Sequence, residues 1–207
     1  MAHEKHPDIG KKIWAGEFDE ALRLARKAYL KNPGATLVMY ASTLYSARKD
    51  EKCLSEIRER MPFLVSPLIE KIDRLSGEGD ADALDVISTI LLWWSLLKPA
   101  FNEDVQDDLR KNSLCAVKKG LELVKGNPSS QHPRHLLSLT YAWLLLIAED
   151  PRQRKDGLWY LQTASRQARH VPDRNQRRRI YRKSAYLYYQ YGHPFTAGWY
   201  AFQTLLT

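Results

Sequence analysis

Six cations crowd one stretch of the chain: Arg174, Arg177, Arg178, Arg179, Arg182 and Lys183, interleaved with Tyr181, Tyr186, Tyr188, Tyr189 and Tyr191. A guanidinium offers a planar fork that matches a carboxylate or a phosphate. A tyrosine ring can stack on a nucleobase or on an arginine. On a helix, Arg174, Arg178 and Arg182 follow at four-residue steps with Arg179 beside them, so they share one side. That chemistry is anion binding, to an acidic protein segment or to nucleic acid. The same residues also fit a helix with a solvated basic face and a tyrosine-rich core face, since Tyr181, Ala185, Tyr188 and Tyr191 suit packing. No recognised nucleic-acid motif accompanies the segment.

Other chemistry-bearing residues read more plainly. His132 and His135 lie one helical turn apart, but no Cys, Asp or third His is near in sequence to complete a metal set. Cys53 and Cys115 have no zinc spacing and form no disulfide framework, so both are expected to be small packing residues in helices. Glu103, Asp104, Asp107 and Asp108 sit where a helix start favours negative charge. Trp93-Trp94, Trp143, Trp159-Tyr160 and Trp199-Tyr200 read as core wedges. Neighbouring residues on a helix point apart, so one of each pair is expected to face outward as an interface anchor. There is no phosphate-cradling Gly-rich loop, zinc-protease His-Glu pattern or nucleophile elbow. The chain is therefore expected to be no enzyme, with no catalytic residue, cofactor or metal.

Apolar residues make up 44% of the 207, enough for a core, and 27% are charged. The net charge of +8 is unevenly placed. Residues 1–150 carry 21 Lys+Arg against 22 Asp+Glu, and residues 151–207 carry 11 against 2, a net of +9. Such asymmetry bears on partners and not on fold. The longest apolar runs, 86–97 and 136–148, fall short of the about 20 residues of a bilayer span. No secretory signal is apparent in residues 1–15. Two thiols without a framework fit a cytoplasmic protein.

Breakers and caps divide the chain into helical pieces. Helices are expected over 9–14, 18–31, 36–48, 51–60, 67–75, 82–97, 102–125, 132–149, 152–170, 173–191 and 195–206. Leu37, Tyr40, Ala41, Leu44 and Tyr45 recur at three-to-four spacing, as do Leu68, Ile72 and Leu75. Met61-Pro62 is expected to break a helix, and 76–81, with Gly77 and Gly79, to form a flexible joint. Lys98-Pro99 and Gly126-Asn127-Pro128 read as stops, and Ser129 or Ser130 as a cap. The sum is a single all-α domain of about eleven helices. Short turns favour stacked antiparallel hairpins, in a solenoid or a compact array.

Two segments resemble tetratricopeptide repeats. Gly16-Glu17-Phe18-Asp19-Glu20-Ala21, then Ala25, Ala28 and Pro33, is similar to that family's inter-helix turn and second helix. Tyr181, Ala185, Tyr188, Gly192 and Ala197 are similar to its run of aromatic, small, aromatic, turn glycine and alanine. Ser184, Pro194-Phe195 and Asp50 depart from the pattern, and 63–171 carries no clear repeat. The resemblance implies a scaffold whose first helices line a groove for a peptide or partner helix. Carried over, it puts Arg179, Arg182, Tyr186, Tyr189 and Gln190 of the last hairpin at that groove. It does the same for Leu37, Tyr40, Leu44 and Arg48 of the second.

Three functions follow as expectations. One is a protein–protein adaptor or chaperone, of which a chaperone of secreted proteins is one form, binding an acidic or amphipathic segment of a protein partner. The second is a nucleic-acid-binding module using the basic last quarter. The third is homo-oligomerisation through exposed aromatics or the last hairpin.

Overall fold

The computed structural model describes residues 7–48, 50–97, 102–125 and 131–206. Among these the chain forms ten α-helices and no strand. They are α1 (Pro7–Ala15), α2 (Phe18–Lys31), α3 (Pro33–Ala47), α4 (Glu51–Glu78), α5 (Ala81–Ser95), α6 (Glu103–Leu123), α7 (Gln131–Leu146), α8 (Pro151–Gln167), α9 (Arg174–Gln190) and α10 (Pro194–Leu206). A 3-10 turn, Ala168–His170, follows α8. The stops expected at Lys98-Pro99 and Gly126-Asn127-Pro128, and the cap at Ser129 or Ser130, lie outside the described residues.

Local chemistry sets the helix starts. The side chains of Asn32, Asp50, Asp80, Asn102, Asp150 and Asp173 each accept a hydrogen bond from a first-turn backbone N–H. Such caps satisfy donors the helix itself leaves unpaired. Gly16 and Gly192 turn the chain at φ 78°, a left-handed conformation glycine enters without a Cβ clash.

The helices expected over 51–60 and 67–75 are one. α4 runs 28 residues through Pro62 and Pro67. A proline inside a helix costs about 3 kcal/mol, which reads as a break from sequence alone. Here Cys53, Ile57, Met61, Leu64, Leu68, Ile72 and Leu75 are buried along a single stripe that continues past both prolines. Pro62 is exposed and Pro67 half-buried, so the lost backbone bonds fall away from that stripe. The expected joint at 76–81 is the α4–α5 turn: α4 runs on through Gly77 to Glu78, Gly79 is left-handed, and Asp80 caps α5.

Helices pair in chain order, with α5 against α6, α7 against α8 and α9 against α10. The odd-numbered helices also touch in succession, α1 with α3, then α5, α7 and α9. They form an inner row, and one apolar cluster reaches along it from Ile9 to Tyr200. Crossings are tight where side chains are small. A Cβ on Gly157 of α8 would lie 3.0 Å from the Ala142 carbonyl oxygen of α7. Trp93 and Trp94 are both buried, contrary to the expectation that one faces out. α5 is covered by α3, α4, α6 and α7, so both directions lead into protein. No described helix is long and apolar enough to cross a membrane.

Three inner helices meet on one ion pair. Lys183 Nζ of α9 lies 3.0 Å from Asp85 Oδ1 of α5, with side-chain exposures of 15% and 6%. The ammonium also donates to Thr89 Oγ1 at 3.0 Å, to the Leu136 carbonyl at 3.2 Å and to Thr140 Oγ1. The Thr140 hydroxyl of α7 in turn donates to Asp85 Oδ1 at 2.9 Å. Burial pushes the Lys183 pKa down, and the Asp85 charge pulls partly against that shift.

Removing one partner strands the other charge. Asp85→Ala is expected to cost about 3–5 kcal/mol in urea unfolding, while Asp85→Leu combined with Lys183→Met costs less than either single change. A double variant as damaged as the sum of the singles would contradict a shared charge pair.

Candidate partner-binding surface on the ninth helix

Asp173 starts α9 by accepting from Gln176 N at 2.7 Å. Ile180, Tyr181, Ser184, Leu187 and Tyr188 then face the core. The opposite arc carries Arg174, Arg178, Arg179, Arg182, Tyr186, Tyr189 and Gln190, all exposed except the half-buried Arg178. Every expected site residue of the last hairpin therefore lies on one solvent-facing side of one helix. No described carboxylate forms an ion pair with Arg174, Arg178, Arg179 or Arg182. Two other cations of the run are committed to the fold. Arg177 Nη1 donates to the Val171 and Pro172 carbonyls at 2.6 and 2.8 Å, and Lys183 is the buried cation described above.

The residues expected from the second hairpin divide. Leu37, Tyr40 and Leu44 are buried and cannot meet a partner. α3 is packed by α1, α2, α4 and α5, so its three-to-four apolar spacing points into the core rather than a groove. Tyr40 stacks on Tyr29 at 5.1 Å between ring centroids. Arg48 differs. Its guanidinium lies 3.6 Å over the Tyr45 ring and 5.6 Å from the Trp93 ring, and its Nη1 donates to the Tyr45 carbonyl. Tyr45 meets Trp93 edge-on, and Tyr186 of α9 meets Trp143 of α7 edge-on.

The two groups adjoin. Burial raises the pKa of the Tyr186 phenol, and the nearby Arg48 charge opposes that rise. Arg182 sits 5.4 Å from the ring of Trp14, which is 72% exposed at the end of α1. The Arg182 side chain of α9 thus reaches the end of α1. The surface runs from Trp14 and Arg182 through Tyr186 to Arg48 and Tyr45. Trp14 and Tyr45 were not among the expected site residues. Trp14 had a legible signal, as a tryptophan beside a turn glycine with little apolar sequence before it. Tyr45 had none, because its spacing matches the core residues around it.

The remaining clusters are structural. Cys53 Sγ donates to Asp19 Oδ1 at 3.2 Å, joining α4 to α2, while Asp50 caps α4. These three ligand-type atoms lie within 4.8 Å of one another. Burial pushes the Cys53 thiol up to about 12, so it is a protonated donor and not a thiolate. Cys115, expected to be packed, is exposed on α6. His135 is buried in α7, and the His132 side chain is outside the described residues. Glu103 and Asp104 occupy the first turn of α6, and Asp107 and Asp108 pair with Arg110 and Lys111.

Two measurements check these environments. A disulfide-exchange reagent is expected to titrate one thiol, Cys115, quickly and Cys53 only on unfolding; two fast thiols would refute the Cys53 assignment. Burial also lifts Tyr188 and Tyr191 of the last hairpin to about 12, above their ordinary 10.0. The fold favours the neutral phenol, so this stability is present below pH 10 and is lost as pH rises from 10 through 12. Helical circular dichroism is expected to fall in that window, together with rising phenolate absorbance.

Comparison with models of protein families, with curated proteins and with solved structures finds no match for this chain.

Proposed function

We propose that this chain is a non-enzymatic protein–protein interaction scaffold that receives an acidic, amphipathic segment of a partner protein on the exposed side of α9. One observation carries the reading: four arginines share that side with two tyrosines, and none is paired with a described carboxylate. Like charges at three- and four-residue spacing repel. The repulsion is relieved when an anionic group docks among them, and a carboxylate can accept from a guanidinium fork at two points. Tyr186, Tyr189 and Trp14 supply exposed aromatic area for the partner's apolar side chains.

The inner row of odd-numbered helices supports a tetratricopeptide-like reading, in which first helices form the receiving surface. From the second hairpin, Tyr45 of α3 and Arg48 just after it are the residues that this reading adds to the receiving surface. An adaptor or a chaperone is the corresponding cellular role.

Nucleic acid is the competing ligand, and the same arginines favour it electrostatically. Protein is favoured because no recognised nucleic-acid motif accompanies the basic run.

The test is recovery of partners from native extract by the wild-type chain and by a variant with Arg179, Arg182, Tyr186 and Tyr189 all changed to Ala. A protein partner held by the wild type, bound at least about tenfold more weakly by the variant, is expected. Its binding should survive nuclease treatment. Recovery that vanishes with nuclease, with affinity for purified RNA or DNA falling steeply with salt, would replace this reading with the nucleic-acid one.

A further inference from the structure

α10 is apolar on both sides. Its sequence, PFTAGWYAFQTLL, contains no Asp, Glu, Lys or Arg. Ala197, Tyr200 and Thr204 face α9, where Tyr200 stacks on Tyr188 at 5.4 Å and on Tyr181 at 5.9 Å. The opposite side presents Phe195, Trp199, Phe202, Leu205 and Leu206 to solvent, with Phe195 94% exposed. A helix apolar all round is ordinarily buried all round, and half of this one is not.

The exposed side has an order of its own. Phe195 and Phe202, Gly198 and Leu205, and Trp199 and Leu206 are each seven residues apart. Residues one heptad apart share one side of a helix, so the exposed apolar residues form a single stripe. Gly198 lies in its middle and is exposed, and a Cβ there would meet nothing within 4 Å. Nothing within the single chain calls for glycine at this position, although it weakens the helix relative to alanine. A close approach by another helix does call for it.

Charge selects the occupant. The molecule carries +8, and residues 151–207 carry 11 basic against 2 acidic residues, so two copies repel across most of this region. α10 is the helix of that quarter without a charged side chain, where copies can meet without bringing cation against cation. An acidic partner gains nothing from a neutral seam and is drawn to α9 instead. We infer that α10 is the self-association surface of this protein: two copies pair their α10 helices antiparallel about a two-fold axis near Tyr200. This pairing sets Phe202 of each against Gly198 of the other, and Phe195 against Leu205. The contact is self-complementary, as a two-fold interface requires, and it leaves the α9 surface of both copies free.

Light scattering or sedimentation of the 207-residue chain tests this. The expected mass is twice 24.0 kDa. Because the seam holds no charge, the dimer should be at least as strong near 1 M salt as near 0.1 M. Gly198→Lys and Phe202→Lys are each expected to weaken it by at least about 100-fold. Gly198→Lys improves helix propensity, so at a concentration low enough for both proteins to be monomeric its thermal unfolding temperature should not fall, which separates lost pairing from lost folding. A wild-type mass of 24.0 kDa at about 100 µM protein overturns the inference. So does a dimer that both substitutions leave intact. A monomer that binds vesicles of anionic phospholipid through Trp199 overturns it too, and reassigns the stripe to a bilayer surface. None of these results alters the partner recovery that tests the α9 reading.

Discussion

A buried ammonium must be neutralised or expelled, and the inner row of this protein is arranged around one that is neutralised. Bringing Lys183 out of water costs several kcal/mol, which a single carboxylate seldom repays. Here the ammonium meets four acceptors besides solvent: Asp85, the Thr89 and Thr140 hydroxyls, and the Leu136 carbonyl. These come from α5 and α7, so the contact exists only when both helices stand at the right height against α9. Apolar packing permits small slides along a helix axis. A charge pair with directed hydrogen bonds does not, because each slide leaves a polar group unpaired. Two further buried hydroxyl contacts extend this register outward. Ser113 donates to the Ser88 carbonyl at 2.7 Å, tying α6 to α5, and Ser165 donates to Ser184 at 2.8 Å, tying α8 to α9.

This constraint decides what the surface of α9 is free to do. With Lys183 turned inward and Arg177 holding the chain before the helix, the rest of the cationic run is left on the outward side. The inner anchor also fixes the rotation of α9, and so the direction in which those arginines point. The helix is positioned by one cation and presents the others. Its tyrosines divide in the same way, with Tyr181 and Tyr188 stacked under α10 and Tyr186 and Tyr189 left outside.

Much of this was legible in the sequence. Capping residues and turn glycines located most helices, because those signals are local and the structure uses each as such. The exposed side of α9 was legible because an arginine–tyrosine run at helical spacing has few ways to bury itself. What stayed hidden depends on neighbours. Pro62 reads as a breaker until the continuous buried stripe of α4 is seen to outweigh it. Leu37, Tyr40 and Leu44 fit a groove or a core equally well by spacing, and only the helices packed around α3 decide between them. Lys183 was indistinguishable from the arginines beside it. The better clue was Asp85, a carboxylate among apolar residues, which had to find a cation somewhere.

The same distinction separates the two ends of the chemistry. Electrostatics on α9 is unfinished within one chain: its arginines repel one another, and no described acid answers them. Hydrophobic burial on α10 is unfinished as well, since one side is packed and the other is not. The two deficits differ in kind and so call for different occupants. A charged surface is satisfied by a partner of opposite sign, and its affinity falls with salt. An uncharged seam is satisfied by shape and area, and its affinity does not. Because α9 and α10 form one hairpin, a molecule paired through α10 carries two basic surfaces held in a fixed relation. A partner with two acidic segments could then engage both, and the second contact would form at the high local concentration that linkage supplies. An assembly of this kind strengthens binding on α9 without adding a single contact there.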